Sequence, residues 1–245
     1  KLKELRLIPA EMDQEEVAFL FRQYGMVSAP VLDDRGRMIG VITVDDVVHV
    51  VEEEAEEDFL ALGGAPDSDI FAPPLETGKK RFPWLLINLG TAILASIVIA
   101  QFEGAIDQLV ALAVLMPIVA SMGGNGGTQT LTVVIRAIAT RELTTRNAYR
   151  VLGRECLVGG LNGILFLVIG ILIAVVWFGN VMLGVLFGLA MLVTLIFAAV
   201  AGVALPVLIE RMGLDPAISS GVFLTTVTDV VGFFTFLGLA AVFLL

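Results

Sequence analysis

From Phe82 to the carboxyl terminus the chain is almost free of charge over four long stretches, Trp84–Phe102, Gln108–Ile135, Cys156–Ile209 and Pro216–Leu245, the last interrupted only by Asp229. A helix needs about 20 apolar residues to cross a hydrocarbon core of about 30 Å, so the first, second and fourth stretches each supply one span. The third is long enough for two, with Gly179-Asn180 as the natural turn. The expected fold is an α-helical membrane protein with five transmembrane helices per subunit over residues 84–245.

The basic residues orient those spans. With residues 1–83 inside, the inner loops Arg136–Arg154 and Glu210–Asp215 contain Arg136, Arg141, Arg146, Arg150, Arg154 and Arg211, while the outer segments Glu103–Asp107 and Gly179-Asn180 contain none. An excess of Lys and Arg marks the cytoplasmic side. The expected arrangement is a multi-pass protein of the cytoplasmic (inner) membrane. Its amino terminus is in the cytoplasm and, the span number being odd, its carboxyl terminus is outside. No cleavable leader is visible, because the first long apolar run begins only at Trp84.

Charge separates the chain into two parts. Up to Arg81 there are 9 Lys/Arg against 18 Asp/Glu, and beyond it 6 against 7. An acidic head on a nearly neutral apolar body excludes nucleic acid as a partner, since phosphate recognition needs basic patches. The single cysteine, Cys156, excludes an internal disulfide and a Cys-rich metal cluster. His49 and Cys156 are the only soft ligands and are read as structural, which leaves no basis for a tetrahedral zinc site.

The head reads as α/β. Val17, Leu20, Phe21 and Tyr24 have helical spacing over Met12–Tyr24, with Asp13 as N-cap and Glu16 three residues on. Two short strands, Ala29–Leu32 and Met38–Thr43, flank the turn Asp33-Asp34-Arg35-Gly36, and Val44–Leu62 returns to helix. This order, with the string PVLDDRGRMIGVITVDD, resembles the cystathionine-β-synthase (CBS) domain over roughly residues 8–60, a module that usually works in pairs. Lys1–Leu7 resembles the tail of a preceding copy. The expected domains are a partial CBS domain (1–62), a connector (63–83) and the membrane domain (84–245). A lone half of a CBS pair leaves much apolar surface to cover.

Three groups of residues carry candidate chemistry. Asp229 lies in TTVTDVVGFFTF inside the last span, where a carboxylate costs about 2.5–3.5 kcal/mol on insertion scales and usually faces an ion path or a partner. No Lys or Arg lies in any span, so the readings are a bound cation or a structural aspartate bonded to Thr225, Thr226, Thr228 or another helix. The second group is LMPIVASMGGNGGTQTL, Leu115–Leu131. Four glycines around Asn125, after Pro117, are expected to break or thin a helix and to expose carbonyls beside the Asn125 and Gln129 amides, or else to let helices pack closely. The third is the acidic run Glu52–Asp58, with Asp45 and Asp46 before it and Asp67, Asp69 and Glu76 after. Such a run is either a solvated helix face or a set of carboxylates that a divalent ion could draw together.

The runs PIVASMGGNGGTQ, RAIATREL and LDPAISSGVFLTTVTDVVGF resemble the membrane domain of the MgtE family of magnesium channels, and the resemblance extends over the CBS region and connector. It implies a homodimer in the membrane lipid, with the pore between the two membrane domains. Mg²⁺ would be held by Asp229, with Gly124 and Asn125 lining the path and Thr225 and Thr228 beside it. It also implies that the connector, roughly residues 69–83, is a plug helix closing the pore when cytosolic Mg²⁺ is abundant, sensed through Asp45, Asp46, Asp67 and Asp69. The family's acidic helical amino-terminal domain and most of its first CBS copy are not represented in the sequence. Thr43 and Asp46 match the Thr-x-x-Asp pattern with which some CBS domains hold a nucleotide ribose, which implies ATP as a further ligand. Mg²⁺ prefers six oxygens and sheds water reluctantly, so one carboxylate per subunit suffices for a largely hydrated ion. The competing readings are an ion-coupled secondary transporter of divalent cations, which would need more membrane carboxylates, and a nucleotide-sensing membrane protein without transport, which would have no use for Asp229. No HExxH, GxSxG or P-loop string points to an enzyme.

Overall fold

The structure is a computed structural model that describes residues 6–65, 71–144 and 146–244. It divides into two units, Lys1–Asp67 and Ser68–Leu245.

The first unit is a small α/β layer. Strand β1 (Ile8–Pro9) pairs parallel to β2 (Ser28–Leu32), which pairs antiparallel to β3 (Met38–Thr43), with Ile8 opposite Val31 and Ala29 opposite Ile42. Helix α1 (Gln14–Tyr24) begins where the Asp13 carboxylate accepts from the Glu15 N–H at 2.9 Å and ends on Gly25, at φ 57°. Gly25 takes the left-handed conformation that a side chain would oppose. The β2–β3 turn is built on Asp33, whose carboxylate accepts from the Arg35 and Arg37 N–H groups and meets the Arg37 guanidinium at 2.7 Å. Helix α2 (Val44–Leu62) starts at Thr43. Ile8, Val17, Ala18, Phe21, Ala29 and Val47 form the core. Much apolar surface stays uncovered: Val44, Val48, Val51 and Phe59 on α2 are exposed, as are Met38, Ile39 and Val41 on β3, so the expected excess of apolar surface is present.

The second unit is helical: α3 (Pro74–Ala100), the short α4 (Glu103–Gln108), α5 (Ala111–Ala139), α6 (Ala148–Phe178), α7 (Val181–Arg211) and α8 (Pro216–Phe243). Caps mark the joints. Asn180 accepts from the Leu183 N–H to start α7 after Gly179, which has φ 65°, and Asp215 accepts from the Ala217 N–H to start α8. Four helices, α3, α6, α7 and α8, are long and apolar enough to cross a membrane. The fifth expected span corresponds to α5. It has 29 residues, but its Gly, Thr, Asn and Gln content dilutes its hydropathy.

Local structure bears on two of the expectations. The glycine-rich stretch does not break: α5 runs unbroken through Pro117 and the four glycines, because one face packs on α7 and α8 and holds the helix despite poor propensity. Residues 74–83 are the opening turns of α3, which continues past Pro83 into the apolar stretch.

Helix α7 is the axis of this unit. It packs against α5, α6 and α8, whereas α3 packs mainly along α8. A Cβ on Gly188 of α7 would lie 2.6 Å from the Leu167 carbonyl oxygen of α6, and on Gly159 of α6 2.8 Å from the Leu195 oxygen of α7. These pairs run antiparallel, so the two backbones approach through glycine, as close-packed membrane helices do. Phe187 and Phe236 meet edge to face at 5.7 Å in the core shared by α5, α7 and α8. The obstacle at Gly188 is backbone and cannot rotate away. Gly188→Ala is therefore expected to lower stability by about 1–3 kcal/mol through forced separation of α6 and α7. Gly160→Ala, with nothing within 4 Å of the added carbon, should be neutral or slightly stabilising; thermal unfolding in detergent compares the two.

Candidate functional site

Small residues bring α5 and α8 together. A Cβ on Gly123 would meet Thr194 of α7 at 2.5 Å and Thr228 of α8 at 3.3 Å, one on Gly127 would meet Leu224 at 2.9 Å, and one on Gly232 would meet Val119 at 3.3 Å. Rising numbers on α5 thus meet falling numbers on α8. The segment 123–127 lies level with 224–228, and Asp229 is one residue beyond. Three of the four glycines around Asn125 therefore serve close packing: Gly126, too, would press on Leu195, at 2.7 Å. Gly124 is the exception, with open space where a Cβ would stand.

The opposite side of α5 is polar and exposed. Ser121, Asn125, Thr128, Gln129 and Thr132 line it. The Asn125 amide donates to the Ser121 hydroxyl at 3.4 Å, and the Thr128 hydroxyl donates to the Gly124 carbonyl at 2.8 Å. The Gly124 oxygen is thus engaged within the helix, and what this face offers is side-chain oxygens rather than the exposed carbonyls expected from a broken helix. Ser121, Thr128 and Thr132 escape a reading of sequence alone, since isolated Ser and Thr are ordinary in membrane helices. Their spacing of three and four residues about Asn125 is the signal.

Asp229 is half-buried on α8 and has no hydrogen bond or ion pair among the described residues. The threonines that could have bonded it are turned to their own backbone: Thr225 donates to Gly221 O at 2.9 Å, Thr226 to Val222 O at 2.7 Å and Thr228 to Thr225 O at 3.0 Å. The structural reading of Asp229 through these hydroxyls is therefore not realised. Of the two threonines expected beside the path, Thr225 is exposed and Thr228 is fully buried against Gly123. It lies on the packed side, against the space that Gly123 of α5 leaves. Near the same junction the Thr194 hydroxyl is buried without a partner among the described residues. Towards the other end, Thr130 of α5 donates to Glu155 of α6 at 3.3 Å.

In the first unit the Asp46 carboxylate accepts from both the Thr43 N–H, at 2.8 Å, and the Thr43 hydroxyl, at 2.7 Å. These bonds hold Asp46 below the usual carboxylate range, with a smaller contribution from His49. Asp45 is exposed in the same turn; Asp67 and Asp69 lie outside the described residues. An acidic convergence not anticipated from the sequence joins α1 to α2. Gln14 donates to Glu54 at 2.6 Å. The Glu15 carboxyl is pushed up to about 7 by partial burial, by a hydrogen bond shared with Glu54, and by repulsion from Glu54, Asp13 and Asp58. Residues 40 positions apart meet here through the packing of α1 on α2, which a charge count along the chain does not reveal. Among the described residues no group of three or more His, Cys, Asp or Glu side chains is placed to hold a metal ion.

Comparison with known proteins gives two family matches. Residues 116–239 match the MgtE family, described as a divalent cation transporter, and residues 2–53 match the CBS domain. The chain is 34% identical over 242 residues to the magnesium transporter MgtE of Bacillus subtilis (98% of this chain, 54% of the relative). It is 37% identical over 242 residues to that of Thermus thermophilus (97% and 53%), and 32% identical over 232 residues to that of Enterococcus faecalis (95% and 51%). The chain spans about half the length of these curated relatives.

Proposed function

The chain belongs to the MgtE family of divalent cation transporters, and from that premise we propose that it conducts Mg²⁺ into the cell through the cytoplasmic membrane, as a channel gated by cytosolic Mg²⁺. The observation that carries the reading is Asp229: a carboxylate in a membrane helix, without a partner among the described residues, level with the polar face of α5. In this reading α5 is the fifth span. Its polar face cannot rest against lipid without cost, so it borders water and ion. A carboxylate, the Asn125 amide and nearby hydroxyls suit an ion that keeps its water shell, with Gly124 leaving room for that shell. The amino terminus is cytoplasmic and the carboxyl terminus outside.

One Asp229 cannot surround an ion. A second copy related by a two-fold axis doubles every ligand with no additional sequence, so the working unit is a homodimer with α5 and α8 of each subunit facing the axis. Cys introduced at Thr225, exposed one turn from Asp229, is expected to cross-link two subunits in native membranes once Cys156 is replaced by Ala. Cys at the buried Thr228 should not. A fully active monomer in liposomes would contradict the arrangement.

Gating belongs to the acidic first unit and to the opening turns of α3. Asp45, Asp46, Asp67 and Asp69 are the proposed sensors, with the α3 amino-terminal turns as the plug. ATP at Thr43 and Asp46 is part of the same proposal; a ribose would exchange for the bonds these two residues now make to each other. Mg²⁺ flux into proteoliposomes, with Mg²⁺ varied on the side of the first unit, tests the whole reading. Absence of flux at every concentration would overturn it.

A further inference from the structure

Helix α6 opens with Tyr149, Arg150 and Arg154, and all three are exposed, Tyr149 to 81%. Neither guanidinium makes a hydrogen bond or ion pair among the described residues. Glu155, the carboxylate beside them, is turned to Thr130 of α5 instead. The inward positions Val151 and Leu152 pack on the cluster of Val134, Leu143, Val203 and Val207, so this end of α6 is held firmly with its arginines outward. One turn beyond Arg154 the same side becomes apolar and stays exposed at Leu157, Leu161 and Leu165. Half of a hydrocarbon core of about 30 Å is about 15 Å, or ten residues of helix. The leucine run covers most of that length.

We propose that this edge of α6 is a binding site for an anionic phospholipid. The i, i+4 pair Arg150 and Arg154 would grip the phosphate of the headgroup in bidentate fashion, Tyr149 would sit at headgroup level as interfacial aromatics do, and an acyl chain would lie along Leu157, Leu161 and Leu165. Charge complementarity selects the occupant. Two unpaired guanidinium groups at the interface attract an anionic headgroup over a zwitterionic one, by about fivefold per arginine. The inference rests only on α6 crossing a bilayer and is independent of ion conduction.

The test uses the full chain in nanodiscs with one reporter, Tyr149→Trp in a background of Trp84→Phe and Trp177→Phe. Its fluorescence is quenched with dibrominated phosphatidylglycerol or, separately, dibrominated phosphatidylcholine. The expected result is association of phosphatidylglycerol at least about tenfold stronger, falling to parity in Arg150→Gln/Arg154→Gln and collapsing in the parent above about 0.5 M salt, where charges are screened within a few ångströms. Arg150→Lys/Arg154→Lys should keep a reduced preference, because the charge remains and the fork is lost. Equal quenching by the two lipids in the parent would overturn the proposal and leave the arginines as orientation signals or as a surface for an acidic protein segment. So would a preference that survives the double glutamine change. If the glutamine variant fails to insert, the salt dependence of the parent decides between the same outcomes.

Discussion

Asp229→Asn is expected to lower Mg²⁺ flux by about a hundredfold or more, with Asp229→Ala at least as severe. Each unit charge at about 4 Å contributes about 4 kcal/mol at an effective dielectric of about 20. The asparagine keeps the shape and loses the charge, and a hydrated divalent ion in the path feels that loss twice over. Stability should move the other way. The carboxylate is half-buried in a membrane helix and is bonded to nothing among the described residues, so removing its charge removes a desolvation cost and strands none of them. Flux into proteoliposomes and thermal unfolding in detergent, measured on the same preparations, separate the two roles. Lost flux with unchanged or raised stability supports a pore ligand. Near-parental flux in both variants, or equal loss of flux and stability, would remove Asp229 from the path.

Neutralising Asp45, Asp46, Asp67 and Asp69 together to Asn is expected to leave flux high at millimolar Mg²⁺ on the side of the first unit, where the parent is expected to close. A ligand shifts a gate only through a difference in affinity between its two positions. Repelling carboxylates that a divalent ion draws together supply that difference, and their amides do not. The measurement belongs in the longest natural chain that contains this sequence. The Asp46 change also replaces the carboxylate oxygen that accepts from the Thr43 N–H and hydroxyl with a weaker amide acceptor, so a single Asp46→Asn control is needed to separate a weakened helix start, at most about 0.5–2 kcal/mol, from loss of sensing. Unchanged inhibition in the quadruple variant would make the acidic run a solvated face and place the sensor elsewhere.

Much of the architecture is written locally. The long apolar helices follow runs without charge, the starts of α1, α2 and α8 follow Asp13, Thr43 and Asp215, the α6–α7 joint follows Gly179-Asn180, and strand β3 follows a short apolar run bounded by turn residues. Periodicity and capping act within a turn or two, so the sequence carries them in full. The MgtE motifs around Asn125 and Asp229 were legible for the same reason, being short contiguous strings. The two-residue strand β1 was not, because its only warrant is pairing with β2, more than 20 positions away.

Which side each residue of those strings faces belongs to tertiary structure. A glycine-rich run reads equally as a broken helix or as a packing surface. Only the Thr194, Leu195 and Leu224 side chains pressed against Gly123, Gly126 and Gly127 make it the second, leaving Gly124 and Asn125 to the open side. Thr225 and Thr228 are both threonines on one helix, yet one is exposed and the other fully buried, because α5 covers a single face of α8. The convergence of Glu15 with Glu54 likewise exists only once α1 has packed on α2. A sequence states which groups are present and how they are spaced along one element. Burial, partnership and direction depend on what a second element places against them, and that is a property of the packed chain alone.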